Sequence, residues 1–125
     1  MMASSPYSGI PTKVRIGCYM FRIEVGEFDD HEAEGSFGHM NPISQKIRLR
    51  PGMSAQNLAN TFIHEIMHGI HWFLGAGSGY DKDSDAYDIE EDYTLKGANG
   101  LCTFWQDNEK AVVWWARLLT LKEKP

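Results

Sequence analysis

The stretch His64-Glu65-Ile66-Met67-His68 decides the reading of this chain. Its H-E-x-x-H spacing puts two histidines four residues apart, on one face of a helix, so both imidazoles can reach the same metal ion. Glu65 stands beside them, placed to take a proton from a metal-activated water. The motif calls for a helix, and its surroundings supply one. Between Ser54 and Leu74, apolar residues Leu58, Phe62, Ile63, Ile66, Met67, Ile70 and Phe73 recur at three- and four-residue spacing. Ser54 follows Pro51-Gly52 and suits an N-cap; Gly75, Gly77 and Gly79 end the helix. Two ordinary helix histidines are the bland alternative.

Working outward, the 125 residues are enough for one domain with a modest core. A hydrophobic content of 42% and a charged content of 23% are those of a soluble globular protein. The net charge of −5, with no basic cluster, argues against nucleic acid as the main partner. Residues 1–9 are short, polar and serine-rich, and are expected to be a disordered tail rather than a signal peptide. No apolar run reaches membrane-spanning length. Cys18 and Cys102 lack the spacing of a structural zinc site and are expected to be reduced, buried thiols of a cytoplasmic protein.

Upstream of the helix, residues 14–25 read as a strand with a break at Gly17, and residues 37–40 as a short strand ended by Asn41-Pro42. Lys46-Ile47-Arg48-Leu49-Arg50 alternates cleanly and is expected at a sheet edge, its basic face in water. Downstream, residues 75–88 form a Gly, Ser and Asp loop. A second helix is expected over 89–106, weakened at Gly97 and Gly100, and a third over 109–122. Trp105, Trp114 and Trp115 are expected in the core. Strands first and helices after give an α+β domain: a small antiparallel or mixed sheet, the H-E-x-x-H helix and one or two further helices, a zincin-like order covering residues 10–125.

A catalytic zinc site usually has three protein ligands. His71 shares the helix face, but an unbroken helix carries it about 10 Å along the axis from His64, so it is expected at a cleft rim. A third histidine at the metzincin spacing is absent, because residue 71 is His rather than Gly and residue 74 is Leu. A carboxylate on the second helix is the alternative. Glu91 is the first choice, since it shares a face with Leu95, Ala98 and Cys102 that is expected to pack inward; Glu90 and Asp92 stay open. Helix N-terminal stabilisation would explain the same acidic cluster. His39, His71, Tyr87 and Tyr93 are the candidates for a donor to the substrate oxyanion. The strand over 46–50 is expected to accept an extended substrate, with its basic residues favouring acidic side chains. The acidic run 81–92 has a D-x-D-x-D start like a calcium loop, but Ala86 stands where glycine is expected.

The segments Thr61–Trp72, Glu90-Glu91, Ala98-Asn99-Gly100-Leu101 and Asp107-Asn108 together resemble the small phage and prophage zinc metallopeptidases. They are more distantly similar to the ImmA/IrrE-type gluzincins. The resemblance runs roughly from Phe37 to Asn108. It implies a zinc-dependent peptidase acting on a protein or peptide in the cytoplasm of a bacterial or phage-infected cell, with His64 and His68 as ligands, Glu65 as base and Glu91 as third ligand. One departure stands out: ImmA/IrrE-type proteins often carry Glu four residues before the Asn of their Ala-Asn element, and here that residue is Leu95. A non-catalytic metal-binding or interaction domain is therefore the competing expectation.

Overall fold

A computed structural model describes residues 5–27, 37–76 and 86–121, apart from the side chains of Ala86, Tyr87 and Glu90. Four strands, β1 (Lys13–Ile16), β2 (Tyr19–Val25), β3 (Gly38–Asn41) and β4 (Lys46–Leu49), precede three helices, α1 (Ala55–Leu74), α2 (Ala86–Asp107) and α3 (Glu109–Thr120). The α+β order expected from the sequence is present, and the sheet is mixed.

The break at Gly17 is a hairpin turn rather than a kink. Gly17 adopts φ 60°, which glycine tolerates without steric cost, and the chain reverses so that Ile16 faces Tyr19 in an antiparallel pair. The sheet order is β1-β2-β4-β3, with β2 and β4 parallel and β3 antiparallel to β4. This corrects the expected edge position of Lys46–Arg50. β4 is paired on both sides, and Ile47 and Leu49 are fully buried. On the opposite face, Lys46 and Arg48 both reach Glu24, at 3.8 and 3.4 Å. Among the described residues, β3 is the edge strand on that side of the sheet.

All three helices contribute to one core. Val14, Ile16, Phe21, Ile23, Ile47 and Leu49 meet Leu58, Phe62, Ile66 and Ile70 of α1, with Phe104, Trp114 and Leu118 closing the far side. Phe62 and Trp114 meet edge to face, 5.1 Å between ring centres. Ser54 caps α1 through its hydroxyl, which accepts from the Asn57 N–H at 3.1 Å. Gly75 ends the helix in the left-handed conformation, φ 68°. Asn108 separates α2 from α3 without capping α3. Its side chain is spent on β1, accepting from Arg15 N–H at 2.7 Å and donating to the Arg15 carbonyl at 2.8 Å.

Several expectations are overturned. Cys18 and Cys102 are both exposed, one in the hairpin turn and the other on the outer face of α2. Trp105 is exposed while Trp114 is buried, because α2 turns Phe104 inward and leaves its neighbour in water. Within residues 1–9, the described part, Ser5–Gly9, contains a hydrogen-bonded turn, with Ser8 N–H on the Ser5 carbonyl at 3.0 Å. Tyr7 anchors it: its hydroxyl donates to the Arg50 carbonyl and accepts from Met53 N–H. No helix among the described residues is long and apolar enough to cross a membrane.

Candidate metal centre

The amphipathic pattern of α1 fixes which of its residues can do chemistry. Leu58, Phe62, Ile66 and Ile70 claim the core side, so the flank carrying Thr61, His64, Glu65, His68 and Trp72 is left facing β3. Between that flank and β3 lies a cleft of about 910 Å³, closed by Tyr93 of α2 and by Gly75 and Ala76 beyond α1.

His64 and His68 stand in the cleft with their Nε2 atoms 3.1 Å apart, both rings solvent-accessible. Two nitrogens each 2.0–2.1 Å from one tetrahedral zinc ion would be about 3.3 Å apart, so the pair is already spaced for shared coordination. Ligand atoms of His64, Glu65 and His68 all lie within 4.8 Å of one another. Glu65 is the buried member, 4% exposed. Burial pushes its carboxyl above the usual glutamate range, and the imidazoles of His68, His64 and His39 pull part of the way back. A carboxylate raised in this way is a better proton acceptor than an exposed one.

β3 lies almost on top of this group. A Cβ added to Gly38 would come 2.7 Å from Thr61 Cγ2 and 3.1 Å from Glu65 Cγ, so the close approach of strand to helix depends on glycine. Arg50 N–H donates to the Phe37 carbonyl at 2.9 Å. By the alternation of an antiparallel ladder, His39 then bonds inward to Arg48, while Gly38 and Met40 turn their peptide groups to the open edge.

The structure brings His39, His71 and Tyr93 to the cleft with His64, Glu65 and His68. His71 packs edge to face on Tyr93, with ring centres 4.8 Å apart, and its buried Nε2 has no hydrogen-bond partner. It borders the cleft, as its distance along the helix implies, and lies outside the metal-binding group. The structure does not bring Glu91 there. Glu91 is exposed and does not line the cleft; Leu95, Ala98 and Cys102 are exposed with it.

The inward face of α2 is instead Tyr93, Gly97, Gly100 and Phe104. The two glycines that weaken the helix in isolation let it close on α1: a Cβ on Gly100 would meet Ile70 Cγ2 at 2.2 Å and one on Gly97 would meet Met67 Cε at 3.0 Å. Asp92 is bound to Lys96 at 3.2 Å. The side chains of Glu90 and Tyr87 lie outside the described residues, as does most of the run 81–92 considered for calcium.

Trp72, Phe37, Met40, Thr61 and Asn60 also line the cleft and were not singled out from the sequence. Helix spacing could have found two of them, since Trp72 follows His68 by four residues and Thr61 precedes His64 by three. No protein-family model matches this chain, no curated protein matches it, and no solved structure matches it.

Proposed function

We propose that the protein is a metal-dependent peptidase, with zinc the ion best suited to its donors. One observation carries the reading: a buried glutamate whose ligand atoms, with those of His64 and His68, lie within 4.8 Å of one another beside an open cleft, the two Nε2 atoms 3.1 Å apart. A purely structural zinc site would want four protein ligands and has no use for such a base. His64 and His68 would hold the ion, which when bound supplies Lewis acidity and lowers the pKa of water. Glu65 accepts a proton from the attacking water and passes it to the leaving amine. His39, His71 and Tyr93 are the groups within the cleft that could donate to the developing oxyanion. An extended peptide fits along β3, whose Gly38 and Met40 peptide groups would pair with it, so the docking edge moves from the β4 of the sequence expectation to β3.

The third protein ligand comes from α2 in this reading. Glu91 is exposed, outside the α2 face formed by Gly97, Gly100 and Phe104 that meets the rest of the fold. The resemblance to phage-type and ImmA/IrrE-type gluzincins fits the same arrangement, with Glu90 joining Glu91 and Asp92 as the residues to test. The exposed position of Glu91 favours the second reading, a metal-binding or interaction domain without activity. The two readings separate in one experiment. Zinc-supplied wild type should cleave members of an unbiased peptide mixture, read by mass spectrometry, and Glu65→Gln should not. A wild type that binds zinc but leaves every peptide intact supports the second reading.

A further inference from the structure

The walls of the cleft differ in chemistry from its centre. Of its titratable groups, His64, Glu65 and His68 form the candidate metal centre, while His39 and His71 line the cleft beyond it, with the Tyr93 phenol beside His71. Among the described residues, no Lys, Arg or Asp lines the cleft. The basic residues of β4 are turned to the other sheet face, where Lys46 and Arg48 are engaged by Glu24. They face away from the cleft, so the geometry of β4 does not support a preference for acidic substrates there.

What the walls offer is aromatic and thioether surface. Trp72 stands one helical turn beyond His68, about 6 Å along the α1 axis, where a side chain next to a reacting peptide bond would lie. It is 41% exposed, yet it packs against two aromatic rings of β2. The Tyr19 ring lies tilted at 59° to it with ring centres 5.0 Å apart, and Phe21 meets it edge to face at 6.2 Å. The indole is thus a rigid apolar platform rather than a loose surface group. Phe37, 55% exposed, stands at the start of the strand that passes over Glu65.

We propose that the cleft selects peptide segments with a large apolar or aromatic side chain beside the scissile bond, and that Trp72 is the residue that sets this preference. The proposal rests on the peptidase reading for its biological meaning, but its physical content is binding. An uncharged platform favours an apolar side chain through buried surface, and it disfavours Asp or Lys because their charges would be desolvated against an indole with no charged partner among the described cleft residues except Glu65 and the histidines.

The test uses the Glu65→Gln variant of the full chain, loaded with zinc, and blocked pentapeptides that differ only in a central Phe, Leu, Asp or Lys. Calorimetry should show Phe and Leu peptides binding about tenfold or more tighter than Asp and Lys peptides. Adding Trp72→Ala should shrink that ratio to about twofold or less, and adding Trp72→Phe should keep most of it. Because Trp72→Ala removes packing from Tyr19 and Phe21, a third variant, Trp72→Glu, provides a gain-of-function check: it should make the Lys peptide the best ligand. Equal binding of all four peptides, no binding of any, or a preference unchanged in Trp72→Ala and Trp72→Glu would overturn the proposal. Failure of the peptidase reading looks different. Wild-type protein would then leave the Phe peptide uncut while the Glu65→Gln variant still bound it with the expected preference.

Discussion

Gly38 of β3 lies directly over Glu65 of α1, so close that a methyl group on Gly38 would stand 3.1 Å from the Glu65 Cγ and 2.7 Å from Thr61 Cγ2. Thr61 and Glu65 are both buried and have little room to swing aside. Gly38→Ala is therefore expected to push strand and helix apart. The cost should be about 1–3 kcal/mol of stability in chemical denaturation. Peptide hydrolysis should fall further than stability alone explains, because the strand edge and the base are displaced together. A variant as stable and active as wild type would mean that β3 does not pack on Glu65 in solution.

Glu65→Gln should keep zinc and lose hydrolysis by about a hundredfold or more, since the amide cannot take the proton of the attacking water. Zinc content and peptide turnover measured on the same sample give both halves of this result. A variant that still turns over at the wild-type rate removes Glu65 from the role of base.

The raised carboxyl of Glu65 also has a signature in the metal-free protein. Burial, opposed by His68, His64 and His39, places its folded value above the ordinary 4.5. The folded chain then holds that proton more tightly than the unfolded chain. The resulting stability is fully present below the unfolded value and is lost as pH rises through the folded one. Glu65→Gln mimics the protonated form, so metal-free wild type and variant should have similar stability in acid and diverge as pH rises, with the variant the more stable. Denaturation midpoints across this range check the sign. A gap that instead widens as pH falls contradicts it.

Tyr7 ties the first described residues to the turn that precedes α1. Its hydroxyl bonds to the Arg50 carbonyl and to Met53 N–H, the latter at 3.1 Å. Tyr7→Phe should cost about 1–2 kcal/mol, visible as a lower Tm, while leaving zinc content unchanged because the phenol is not among the groups that line the cleft. An unchanged Tm would show that the turn is not docked.

Much of the architecture was legible because local chemistry dictates it. The α1 limits followed from Ser54 and Gly75, and the apolar spacing of Leu58, Phe62, Ile66 and Ile70 named the core face. Residues that share an element are positioned by its period, so the closeness of His64, Glu65 and His68 was also readable. What the sequence hid was pairing between elements. The alternation of Lys46–Leu49 looks the same in an edge strand and an interior one, and only the return of β3 alongside it decides the matter.

Gly97 and Gly100 were similarly ambiguous. Their propensity argues against a helix, yet their missing side chains create the face that packs on Met67 and Ile70. That choice of face turns Leu95, Ala98 and Cys102 outward, contrary to expectation, and takes Glu91 with them. Trp72 was overlooked because an aromatic residue at helical spacing reads as core. Its partners Tyr19 and Phe21 come from a strand about fifty residues earlier, a closeness that no local pattern reveals.

A peptidase of this kind requires His64 and His68 to hold a metal ion beside Glu65. Metal content by mass spectrometry tests it most directly, on wild type, His64→Ala, His68→Ala, Glu65→Gln, Glu90→Gln and Glu91→Gln, all supplied with zinc. About one zinc per chain is expected in wild type and Glu65→Gln, with loss in both histidine variants and weakening in whichever of Glu90→Gln and Glu91→Gln removes the third ligand. Wild type without zinc, or zinc retained in His64→Ala and His68→Ala alike, would contradict the peptidase reading.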